Sequence, residues 1–170
     1  MLRRVMVVFA ATMLVATVAT PANAEILKRT AYLVGGEAVP PVVTGAFGFA
    51  TLFIDTVART ITYSVDVWNL PSGLTAFHPH AGSRGVAGPT FFSGTVPGPL
   101  SNDFHLEGVW RDTDFTARPA QGIRSADDAL ETILMGDVYF NIHTQVNPGG
   151  EIRGQLTPAV TLDGRQRFFQ

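Results

Sequence analysis

In the stretch GAFGFATLFID, Phe47, Phe49 and Phe53 fall at a period of two, with smaller residues between them. TITYSVDVW repeats the period: Ile61, Tyr63, Val65 and Val67 share one face, while Thr62, Ser64 and Asp66 share the other. Such alternation predicts half-buried antiparallel strands, and the intervening DTVART is a hairpin-sized connection. Further strands are expected over 27–34, 75–80, 89–92, 104–111, 138–144 and 151–157. One segment breaks the pattern. SADDALETILMG has Ala129, Leu130, Ile133 and Leu134 at helical spacing, Ser125 as N-cap, Asp127 and Asp128 in the first turn and Gly136 past the end. Acidic residues there complement the helix dipole, so capping accounts for them without a catalytic role.

The segment VYFNIHTQVNPGGEIRGQL reads as a hairpin. Val138, Phe140 and Ile142 share one face and Tyr139, Asn141 and His143 the other, and the turn NPGG reverses the chain. About eight short strands separated by Gly/Pro turns predict an all-β fold, a Greek-key sandwich or barrel with one short inserted helix.

The opening residues change the picture of where the chain works. Arg3 and Arg4 precede an apolar run over 5–19, and Ala22-Asn23-Ala24 is a small-x-small cleavage site. Residues 1–24 therefore read as a signal peptide, 25–157 as the β domain and 158–170 as a tail or extra strand. A secreted or periplasmic location follows, with no membrane attachment after cleavage. The full chain carries 12 basic and 14 acidic residues, and Lys28 is its one lysine. With no basic cluster to neutralise phosphates, nucleic acid is not an expected partner. The absence of cysteine excludes disulfides, thiol nucleophiles and thiolate metal sites.

Candidate chemistry gathers in AFHPHAGSRGVAGP. His78 and His80 stand at i and i+2, so on a strand both imidazoles point to one face. With His143 they form a three-histidine set, and neutral imidazoles with an open position suit zinc or copper. Asn141 is a candidate to orient His143, because a ligating histidine normally donates its other ring nitrogen to a polar neighbour. Asn141, Glu151 and Arg153 are expected as a polar cluster across the hairpin, either fixing register or binding a ligand. Gly82, Gly85 and Gly88 are spaced for turns rather than for a phosphate loop. Ser83 does not fit a nucleophile elbow, RDTD lacks the calcium-loop pattern, and His105 belongs to a solvated strand face.

Three blocks, LVGGEAVPPVVTGAFGFATLFID, GLTAFHPHAGSRGVAGP and DVYFNIHTQVNPGGEIRGQL, resemble the signature blocks of the CHRD domain, named after chordin and common in exported bacterial proteins. The resemblance implies an immunoglobulin-like β-sandwich or barrel, with no general activity, catalytic residue or cofactor attached to it. The family usually has an apolar residue between the paired histidines, where this chain has Pro79. A proline lacks the ladder N–H, which places this segment at an edge, a bulge or a strand end. Two functional readings follow. The first is a non-enzymatic exported domain that binds an extracellular or periplasmic protein or ligand. The second is a zinc or copper protein centred on His78, His80 and His143, hydrolytic or similar to copper/zinc superoxide dismutase, although that family's further ligands and cysteines have no counterpart here.

Overall fold

The computed structural model describes residues 26–96 and 102–158. The expected signal peptide over 1–24 and residues 159–170 lie outside them. The strands are β1 (Ile26–Val34), β2 (Phe47–Asp55), β3 (Thr60–Trp68), β4 (Leu74–Ala81), β5 (Phe104–Arg111), β6 (Val138–Thr144), β7 (Ile152–Gln155) and β8 (Thr157–Pro158). They form one curled antiparallel sheet in the order β4-β6-β7-β1-β2-β3-β5, with β8 also paired to β1. The chain builds a β1-β2-β3 meander, then crosses from β3 to β4 at the opposite end of the sheet. It returns to β5 beside β3 before laying down the helix and the β6–β7 hairpin. The expected all-β class holds.

Curling folds the β3–β5 end of the sheet over the β4–β6 end, and aromatic side chains meet across the gap. Tyr63 packs edge-on to Phe77 at 5.5 Å between centroids, and Trp110 lies 6.4 Å from Phe140. The Trp110 indole donates to the Ser93 carbonyl (3.1 Å), so its polar edge is satisfied inside the core. The helix α1 (Ala126–Met135) docks through Ala129 and Ile133, both buried. Ser125 accepts from the Asp128 amide while Asp128 reaches back to the Ser125 amide, a reciprocal cap. Asp127 serves differently, pairing with Arg59.

The buried face of β2 is Gly48, Ala50, Leu52 and Ile54, so Phe49 and Phe53 point outward, 49% and 39% exposed. Two expectations need correction. Residues 89–92 form no strand: only Thr90 bridges to His80. The predicted strand over 151–157 begins at Ile152 and breaks at Leu156, leaving Glu151 in the turn.

Candidate functional site

The β4–β6 pairing builds the site. Its register sets Ala76 opposite His143, His78 opposite Asn141 and His80 opposite Tyr139. Alternation places all six on the face away from Phe77, Phe140 and Ile142. β4 is an edge strand, which accommodates Pro79. The next partner, β7, sets Arg153 opposite Asn141 and Gln155 opposite Tyr139. β6 is buried along its whole length, because segments 82–90 and 145–150 cover this second face.

One ring nitrogen from each of His78, His80 and His143 lies within 4.8 Å of the others. His80 Nδ1 donates to the Gly88 carbonyl (2.8 Å) and His143 Nδ1 to the Pro148 carbonyl (2.9 Å). In a neutral ring each bond leaves Nε2 as a bare lone pair. His80 Nε2 therefore accepts from His78 Nδ1 at 3.0 Å. His143 Nε2 is buried and has no hydrogen-bond partner among the described residues. An orphaned lone pair of that kind costs about 1–3 kcal/mol.

Burial holds the three rings neutral. Desolvation, reinforced by the neighbouring His143 and His80, lowers His78 to about 3. Desolvation also lowers His80 to about 4, opposed by its bond to Gly88 and aided by His143 and Arg153. His143 is likewise lowered by burial. Neutral imidazole is the form that ligates a metal.

The surrounding contacts are largely backbone and aromatic. Tyr139 stacks on His80 with ring centroids 4.8 Å apart and planes 9° from parallel. The Arg153 guanidinium carbon lies 3.4 Å from the Tyr139 centroid, and Arg153 is 2% exposed. Tyr139 Oη accepts from the Gly88 amide (3.1 Å). Arg153 and Gln155 donate to the carbonyls of Ser83 and Gly82, each at 3.0 Å, which ties the covering loop to β7.

Asn141 does not orient His143; the Pro148 carbonyl of the NPGG turn does. Asn141 donates instead to the Gly149 carbonyl (3.3 Å). The expected cluster of Asn141, Glu151 and Arg153 also divides. Glu151 Oε2 accepts from the Thr144 hydroxyl (2.9 Å) and the Asn147 amide (2.5 Å), whereas Arg153 joins the Tyr139 stack. Tyr139, Gly88 and Pro148 are site residues that the sequence reading missed. For Tyr139 the signal was available: it stands two residues before Asn141 on the histidine face.

His105 stays apart, exposed and bonded to Asp66 at 2.8 Å. Asp112 pairs with Arg59 at 2.6 Å and Asp114 accepts from the Arg111 amide, so RDTD is an exposed turn. No helix among the described residues is long and apolar enough to cross a membrane. No curated protein and no solved structure matches the chain. The family model of the CHRD domain matches residues 29–156, which take in every strand just described except the start of β1 and the whole of β8, and on that match the chain belongs to the CHRD domain family.

Proposed function

We propose that this chain is an exported CHRD-domain protein that binds one transition-metal ion through His78, His80 and His143. The observation carrying the reading is the buried, unpartnered Nε2 of His143 beside two further imidazole nitrogens. Tetrahedral ligands at about 2.0–2.1 Å from a metal stand about 3.3–3.4 Å from one another, so the rings need only small shifts to close on an ion. The ion would replace the proton now shared by His78 Nδ1 and His80 Nε2, with the His78 proton moving to its own Nε2. The carbonyls of Gly88 and Pro148 already hold the other two rings by the bonds that ligating histidines usually make. Export rests on the leader pattern of residues 1–24.

Elemental analysis and titration of protein purified without a tag test the reading. One equivalent of metal per chain is expected, lost in His143→Gln. A wild-type protein that binds neither zinc nor copper would end it.

A second reading, a partner-binding domain, draws on the β1-β2-β3 part of the same sheet face. Tyr32 and Phe49 are 54% and 49% exposed with rings 4.9 Å apart, and Trp68 continues the row 6.4 Å from Phe49. Exposed aromatic rows favour association surfaces.

A further inference from the structure

We infer that the three-histidine site selects a monovalent ion, cuprous copper, over a divalent one. The inference rests on the metal-binding reading above and adds the charge of the ion.

The argument is electrostatic. The three ligands are neutral, and the cluster contains no carboxylate or thiolate. Carboxylates on the surrounding segments are committed elsewhere. Glu37 pairs with Arg84, Asp137 accepts from the Ser83 hydroxyl, and Glu151 is held by Thr144 and Asn147. The buried charge on the histidine face is positive, Arg153 lying on the far face of the ring that stacks against His80, while the buried Glu151 bonds to Thr144 on the other face of β6. A dication in this pocket would keep both charges without an anionic ligand and would face the guanidinium with both. The cost of taking an ion out of water scales with the square of its charge, so a monovalent ion incurs about a quarter of it. Cuprous copper is also satisfied by three nitrogen donors, whereas a divalent ion needs a fourth ligand, and His143 is 7% exposed.

Cu(I) and Zn(II) make a clean comparison, because both have filled d shells and no geometric preference from them. Their affinities can be measured anaerobically by competition, Cu(I) against bathocuproine disulfonate and Zn(II) against 4-(2-pyridylazo)resorcinol. Cu(I) is expected to bind more tightly by about a hundredfold or more, read as the ratio of the two dissociation constants. Arg153→Gln separates the charge argument from simple ligand preference. Removing the guanidinium's unit charge should strengthen Zn(II) binding about tenfold more than Cu(I) binding, since a dication feels that charge twice. The exposed variant Arg84→Gln, which leaves the buried stack in place and releases Glu37, should act in the same direction with a smaller change.

Zinc binding as tight as or tighter than Cu(I) in the wild type would overturn the cuprous assignment and leave the metal reading standing. Equal changes for both ions in both variants would overturn its electrostatic basis. Failure of both ions to bind would instead remove the metal reading itself.

Discussion

At Gly88 a Cβ would lie 1.6 Å from the Ala81 carbonyl oxygen, a backbone atom that cannot swing aside. The same residue supplies the carbonyl that fixes the His80 tautomer and the amide that meets Tyr139 Oη. Gly88→Ala should therefore displace the covering loop, weakening metal binding at least about tenfold while costing about 1–3 kcal/mol of stability. Titration and urea denaturation of that variant would show both, and unchanged metal affinity would mean that the loop does not position His80. The histidines themselves make stability depend on pH. Folded-state values of about 3 for His78 and about 4 for His80 lie below the ordinary imidazole value. Between those values and about 6.5 the unfolded chain binds more protons than the native one. Their contribution is thus complete above about pH 6.5 and is lost as the pH falls through the acid range. With a chelator present, lowering the pH from 7 to 5 should remove about 2 kcal/mol per histidine from the unfolding free energy. His78→Gln should flatten that slope, and a wild-type slope near zero would show that the rings titrate alike in the folded and unfolded chain.

Two strands carry phenylalanines at the same period with opposite fates. Phe140 on β6 is fully buried, whereas Phe49 on β2 stands on the convex side of the sheet. Phe140→Ala should cost about 3–5 kcal/mol, and Phe49→Ala about 0.5 kcal/mol or less. Equal shifts in the two denaturation midpoints would contradict the face assignment. Alternation alone shows that a strand has two faces, and composition ordinarily identifies the inner one by its bulk. Curvature reverses that rule here. The concave side of β2 has room only for small groups near its start: a Cβ on Gly48 would lie 2.6 Å from the Asp66 carbonyl oxygen. The strands, the capped helix and the His-x-His pair were legible because each signal is local. The pairing of β4 with β6 was not, and with it went the Tyr139–His80 stack and the reach of Arg153. The carbonyl of Pro148 was missed for another reason: the sequence reading sought a polar side chain, and backbone acceptors leave no mark in residue identity. Residues 89–92 have strand composition, yet their backbone bonds go to Ala81 and Thr116 rather than to a continuous partner.

For the molecule as a whole, the site sits at one end of a single sheet. Its ligands come from β4 and β6, its cover from the segments around Gly88 and Pro148, and its stacked base from β6 and β7. Metal would thus tie an edge strand to its neighbour, while the β2-β3-β5 end and α1 contribute no ligand. Binding to the native state alone stabilises it by about 2.7 kcal/mol at a hundredfold excess over the dissociation constant. If the domain unfolds in one step, the full gain should appear in the melting temperature. Local opening should respond unevenly, since hydrogen exchange also reports partial unfolding of individual segments. With Cu(I) added, amides of β4, β6 and residues 82–90 should exchange more slowly, and those of β5 and α1 should slow only where they exchange by global unfolding. His143→Gln should abolish both the rise in melting temperature and the local protection. Protection spread evenly over the chain, or confined to the aromatic row around Phe49, would place the bound ion away from the three histidines.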